Sequence, residues 1–144
     1  MSAQVLVREF RFPEDHEVAV KLWGSMEIGV QVGRSDTLEE VHKKLQRDPD
    51  LFLVAEVNGT IVGTIIGGFD GRRGMIYHLA VQADARRQGI GDMLLHEIEE
   101  RLQAKGCKKC YMLVSADNIN AMKFYENRHW REMKEDRVFG KEFP

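Results

Sequence analysis

The residues with the most specific chemical potential are Arg86-Arg87-Gln88-Gly89-Ile90-Gly91. They lie between an apolar run, Ile76 to Val81, that reads as a strand and an amphipathic stretch from about Ile90 that reads as a helix. A helix N-terminus leaves backbone N–H groups unpaired, and its aligned peptide dipoles make that end partly positive. Phosphate docks there when nothing bulky shields the backbone. Gly89 and Gly91 remove the shield, and Arg86 and Arg87 add cations able to pair with phosphate oxygens. Two common nucleotide loops do not fit. Gly89-Ile90-Gly91-Asp92-Met93-Leu94 lacks the third glycine of GxGxxG, and GxxxxGK followed by Ser or Thr occurs nowhere.

A second candidate is Cys107-Lys108-Lys109-Cys110, whose CxxC spacing suits a redox centre or half a zinc site. No second Cys or His pair supplies further ligands, so these read as reduced structural thiols and no metal is expected. The formal net charge of −2 gives no general reason to expect nucleic-acid or membrane binding. An anionic ligand would be held by local charge and oriented backbone. No apolar run reaches the length of a membrane span, and Met1-Ser2-Ala3-Gln4-Val5 lacks the basic start and apolar stretch of a signal peptide. A cytoplasmic chain is the expectation.

The elements that must position these groups follow from periodicity. With no repeat or linker, residues 1–144 read as one domain of ordinary size. Val5 to Phe12 alternates as a first strand, and Pro13-Glu14-Asp15 starts a helix whose Val18, Ala19, Leu22, Trp23 and Met26 share one face. Thr37 and Glu40 have capping-box spacing for a second helix buried through Leu38, Val41 and Leu45, and Asp48-Pro49 stops it. Leu51–Val57 and Thr60–Phe69 flank Asn58-Gly59, a strong hairpin signal, and a further strand runs from about Met75 to Val81. Ile90, Leu94, Ile98 and Leu102 mark a long helix closed by Gly106. Tyr111–Ser115 reads as a strand, Asn118–Arg128 as a short helix, and Trp130–Phe143 as two final strands. Helices covering a sheet in a mixed α/β (α+β) sandwich result.

The spacing Arg86-x-x-Gly89-x-Gly91, preceded by Leu79-Ala80-Val81, resembles the CoA-binding motif of the GNAT superfamily of acetyltransferases. Asn118-Ile119-Asn120-Ala121-Met122-Lys123-Phe124-Tyr125-Glu126 is similar to that family's NxxAxxFYE segment, and Asn118 and Tyr125, seven apart, share one helical face. His129 stands where relatives have a helix-ending glycine, and histidine tolerates the left-handed conformation this requires. The resemblance implies a mostly antiparallel sheet of about six to seven strands flanked by about four helices. It implies acetyl-CoA as cosubstrate and direct attack by a primary amine of a small molecule or peptide. The pyrophosphate would rest on Arg86, Arg87, Gln88, Gly89, Ile90, Gly91 and Asp92. Leu79, Ala80 and Val81 would align the pantetheine arm and thioester, Asn118 would contact the cofactor, and Tyr125 would be the general acid. A homodimer is common among relatives.

The acceptor side is less specified. Relatives carry a base at the positions of Met75 or Tyr77, and neither residue is one here. By strand alternation His78 should face away from Tyr77, as a core or helix-packed histidine. Leu113 stands where relatives that acetylate protein N-termini often carry Glu, which weakens that substrate reading. A water chain ending at Asp70 or Glu27 is an alternative proton route. Gly67-Gly68-Phe69-Asp70-Gly71-Arg72-Arg73-Gly74 resembles a small bacterial, YpeA-like branch of the family. It is either a glycine-rich turn with solvated charges or the border of an acceptor site, for which Trp23, Glu27, Asp70 and Tyr77 are candidates. A non-catalytic acyl-CoA sensor on the same fold is the rival function. A nucleic-acid binder using Arg86 and Arg87 lacks the basic, aromatic-interleaved surface it needs.

Overall fold

The computed structural model describes residues 4–28 and 30–144, so the leader reading of the first residues lies largely outside them. The chain forms two compact units, residues 1–113 and 114–144. The first holds a five-stranded sheet in the order β1-β2-β3-β4-β5, from β1 (Val5–Glu9), β2 (Phe52–Val57), β3 (Thr60–Phe69), β4 (Gly74–Val81) and β5 (Cys110–Met112). The first four strands are antiparallel neighbours, and β5 joins β4 in parallel. Three helices cover this sheet, α1 (His16–Gly24), α2 (Leu38–Arg47) and α3 (Ile90–Ala104), and α4 (Ile119–Glu126) belongs to the second unit.

Local chemistry accounts for the element ends. Asn58 and Gly59 both adopt left-handed φ, at 52° and 78°, as a two-residue hairpin between β2 and β3 requires. Thr37 caps α2, its hydroxyl accepting from the Glu40 amide at 3.3 Å. Asp15 precedes α1, and its carboxylate turns back to accept from the Arg11 amide at 2.7 Å and from Arg8 at 2.8 Å.

The sheet is buried on both faces. On one, Ile90, Leu94, Ile98 and Leu102 of α3 are at most 2% exposed, the four-residue stripe having turned wholly inward. Burying an aliphatic side chain of this size contributes about 1.5–3 kcal/mol. The helix sits close because a Cβ at Gly63 would meet Leu94 Cδ1 at 3.0 Å and Ile90 Cγ2 at 3.3 Å. The opposite face is filled by Phe10, Ala19, Leu22, Trp23, Val41, Phe52, Val54, Ile66 and Ala80, mainly from α1, α2 and the strands. Val18 and Leu38, expected inward, are 41% and 44% exposed, because the inward arcs of these short helices are narrower than their apolar sets.

The described residues form five strands rather than six or seven. The segment expected to supply two final strands, Trp130–Phe143, forms none. Its Glu132, Lys134, Glu135, Asp136 and Arg137 interrupt alternation, and a turn closes with the Asp136 amide on the Met133 carbonyl at 3.1 Å. The four-helix expectation and the mostly antiparallel sheet match.

Candidate active site

Strand β4 is the organising element. It pairs with β5 only through Gly74, Met75 and Ile76, so beyond Ile76 its outer edge has no strand partner among the described residues. The Gln82 amide donates to Val62 O on the inner side at 2.7 Å. Alternation along an antiparallel strand therefore turns the Val81 peptide groups to the open side. There the Val81 carbonyl accepts from Arg86 Nε at 3.0 Å. Arg86 thus ties the loop to the strand end, a role its sequence position did not reveal.

The turn that follows is built on two left-handed residues, Arg87 at φ 68° and Gly89 at φ 78°. Gly89 caps α3, and the helix's first ladder bond runs from the Met93 amide to the Gly89 carbonyl at 3.0 Å. The space above it is open, since a Cβ there would meet nothing within 4 Å. Arg86, Arg87, Gln88 and Gly89 are exposed, whereas Ile90 is 1% exposed and anchors the turn into the core. The backbone of this turn and the side chain of Ile90 consequently face opposite requirements, and only the former meets solvent.

Within β4 the register slips. Tyr77 pairs with Ile66 and Ala80 with Thr64, so His78 and Leu79 together oppose Ile65. This is a β-bulge, and His78 carries its strain at φ 53°. The bulge breaks the alternation that placed His78 on the far face from Tyr77. Their ring centroids are 5.6 Å apart edge to face, and His78 lies 4.7 Å from the Trp23 ring. Packing against helix α1 matches expectation, but the face is that of Tyr77, not the opposite one. His78 Nε2 is 2.9 Å from Asp36 Oδ1, and Asp36 Oδ2 accepts from the Gly33 amide at 2.9 Å. The His78 carbonyl accepts from Thr64 Oγ1 at 2.9 Å, and that hydroxyl accepts from Trp23 Nε1 at 2.9 Å.

Asp36 and Thr64 were not anticipated. Thr64 had a readable signal, a hydroxyl inside the apolar run Ile61-Val62-Gly63-Thr64-Ile65-Ile66. Asp36 had none, because its partner is 42 residues away.

The candidate acceptor residues separate. Trp23 is 1% exposed and belongs to the core. Glu27 is exposed just beyond α1. Asp70 is a turn residue: its Oδ1 accepts from the Arg73 and Arg72 amides, each at 2.8 Å, and these bonds hold its carboxyl below the usual range. Tyr77 is 38% exposed, and partial burial, with Asp48 and Asp36 adding to it, pushes its hydroxyl up to about 12. Leu113 is 64% exposed. Both cysteines are free thiols, and Cys107 packs where a Cβ on Gly74 would stand 2.9 Å from its Sγ. Burial pushes the Cys110 thiol up to about 11.

In the second unit Asn118 caps α4, its Oδ1 accepting from the Ala121 amide at 3.2 Å. Tyr125 follows two turns later, between Phe124 and Trp130 at ring-centroid distances of 5.3 and 6.2 Å. Burial pushes its hydroxyl up to about 12. His129 ends the helix at φ 70°, the left-handed conformation expected of the residue replacing glycine. Among the described residues no helix is long and apolar enough to cross a membrane, and no group of three or more His, Cys, Asp or Glu is placed to hold a metal ion.

A bulged strand with an open edge runs through a glycine turn into a helix N-terminus, within a mixed sheet covered by helices. A sequence model described as the acetyltransferase (GNAT) family matches residues 17–130, and the chain belongs to that family. It is 42% identical over 120 residues to a protein named as an acetyltransferase from Pectobacterium atrosepticum, with 83% of each chain covered. It is 38% identical over 135 residues to another acetyltransferase from Sodalis glossinidius, covering 94% of this chain and 93% of that one. The fold matches the PaiA N-acetyltransferase of Thermoplasma acidophilum, solved with coenzyme A, at TM-score 0.75 and 20% identity over 87% of this chain and 88% of that one.

Proposed function

We propose that residues 1–144 act as one N-acetyltransferase domain that moves an acetyl group from acetyl-CoA to a primary amine. The observation that carries this is the continuity of two features suited to one elongated ligand. A strand edge that has no strand partner beyond Ile76 among the described residues offers backbone groups to the amides of a pantetheine arm, and the exposed turn from Arg87 to Gly89 opens a helix N-terminus to its pyrophosphate. Coenzyme A fits these residues in chemistry, and it would supply the activated thioester. The chain's own groups do the rest. The Leu79 amide at the bulge serves as donor to the oxyanion that develops as the amine attacks. The carbon–sulfur bond then breaks, and the Tyr125 hydroxyl gives its proton to the departing thiolate. Burial, which pushes the phenol up to about 12, keeps it protonated at neutral pH and makes it a weak acid that holds a hydrogen bond to the sulfur until the thiolate takes the proton. Asn118 contacts the cofactor from the start of α4. The amine is a small molecule or a peptide amine, with Tyr77 on the acceptor face and Glu27 and Asp70 outside the proton-transfer step.

Acetyl-CoA is expected to raise the melting temperature by mass action on the folded state. No shift at saturating acetyl-CoA would refute cofactor binding altogether. Thiol release with a panel of polyamine, amino-sugar, dipeptide and lysyl-peptide amines then separates enzyme from acyl-CoA sensor, since a sensor shifts in melting temperature but releases no thiol. Tyr125→Phe should lower turnover by on the order of 10²-fold while keeping the acetyl-CoA shift. Unchanged turnover would remove Tyr125 from its role.

A further inference from the structure

We infer that His78, oriented by Asp36, is the group that takes the proton from the acceptor amine; this rests on the acetyl-transfer reading above. The position is one that strand alternation excludes and the bulge restores. With two residues opposing Ile65, the His78 ring comes to the face of Tyr77, beside the bulge amides proposed to meet the thioester.

Three elements fix that ring. Asp36, in the 3-10 turn Arg34–Asp36 before α2, accepts from Nε2 at 2.9 Å, and its other oxygen is held by the Gly33 amide. The Trp23 ring of α1 closes one side at 4.7 Å. Thr64 of β3 donates to the His78 carbonyl, which secures the backbone at φ 53°. A residue held in a strained conformation by three partners, two of them hydrogen-bonded to each other, is over-determined in the manner of functional positions.

The hydrogen bond also sets the tautomer. A carboxylate only accepts, so Nε2 carries the hydrogen and Nδ1 presents a lone pair. The His78 side chain keeps 19% of its surface exposed, against 10% for Asp36, so the imidazole is the more open member of the pair. In the reaction the amine nitrogen bonds to the acetyl carbon and its proton passes to Nδ1, giving an imidazolium paired with Asp36. The carbon–sulfur bond breaks and the thiolate takes the Tyr125 proton. After product leaves, solvent removes the proton from His78 and returns one to Tyr125. His78 is the catalytic residue of the pair and Asp36 its positioning residue.

The test uses the amine panel above with His78→Gln, His78→Gly and Asp36→Asn. Glutamine can still donate to Asp36 but cannot take up a proton, and glycine accommodates φ 53° without strain. His78→Gln is expected to lower kcat by on the order of 10²-fold or more, with KM and the acetyl-CoA thermal shift retained. It should also abolish the acid limb of the wild-type kcat/KM profile. Among the described residues, the charged or titratable groups around the ring include Asp36 on the 3-10 turn and Tyr77 on β4, with Asp48 near Tyr77 and His16 of α1 on the Asp36 carbonyl at 2.9 Å. Asp36→Asn should lower kcat less than His78→Gln and displace the limb. His78→Gly should regain activity with added imidazole. Wild-type kcat and an intact acid limb in His78→Gln would overturn the assignment, as would loss of the acetyl-CoA shift in both His78 variants, which marks a structural residue. A wild-type protein releasing no thiol with any amine overturns the acetyl-transfer reading itself, and this one with it.

Discussion

Thr64 is completely buried, and its hydroxyl joins two groups: the indole N–H of Trp23, 1% exposed, and the carbonyl of the strained His78. Thr64→Val keeps the shape and removes both bonds. Leaving a buried donor unsatisfied costs about 1–3 kcal/mol, and the lost bond to the carbonyl adds about 1 kcal/mol, for about 2–4 kcal/mol together. An unfolding entropy of about 2.1 cal/mol/K per residue gives about 0.3 kcal/mol/K for a chain of this length, so Tm should fall by about 7–13 °C. Scanning calorimetry on Thr64→Val and Thr64→Ser measures this, and the serine variant should recover most of the loss because it keeps the hydroxyl. Adding Trp23→Phe to the valine variant should cost less than it does in wild type, by about 1 kcal/mol, because the hydrogen bond is already lost there and phenylalanine removes the orphaned donor. A valine variant melting within a degree or so of wild type would show that the Trp23–Thr64–His78 chain holds nothing.

Two more expectations concern charge and the turn. Asp15 is 6% exposed; burial acts to raise its carboxyl, but hydrogen bonds from Arg8 and the Arg11 amide outweigh it and hold the group below its ordinary value. A depressed folded-state pKa contributes stability above the unfolded value of about 3.9, lost as pH falls further. Asp15→Asn should therefore cost about 1.5–3 kcal/mol at pH 7 by removing one of the two carboxylates on Arg8, Glu56 remaining on its Nε at 3.1 Å, with the gap to wild type closing below about pH 4 in urea melts; a gap constant with pH would contradict the pairing. Gly89→Val forces a branched residue to φ 78° in open space, costing on the order of 1–2 kcal/mol of strain. It should remove most of the acetyl-CoA-induced thermal shift while the apo protein remains folded, and a full shift would show that the turn does not bind the cofactor.

Much of the framework was legible because it is written in neighbouring residues. The stripe Ile90, Leu94, Ile98 and Leu102 fixes which side of α3 is buried at any fold, and Asn58-Gly59 closes a hairpin by its own backbone preferences. His129 adopts the left-handed turn its place in the motif required. The final segment was misread because its last apolar residues, Val138, Phe139 and Phe143, form strands only if a sheet edge takes them. They are instead 74%, 93% and 73% exposed.

By itself, then, the sequence determined the elements up to α4, the glycine turn between β4 and α3, and the motif spacing that marks an acetyltransferase, since these rest on periodicity and local backbone chemistry. The tertiary structure alone decided which way His78 faces. That depends on a one-residue slip of β4 against β3, stabilised by Thr64, Trp23 and Asp36, groups distant in sequence. A period-2 argument inverts at such a slip, because every side chain beyond the extra residue changes face.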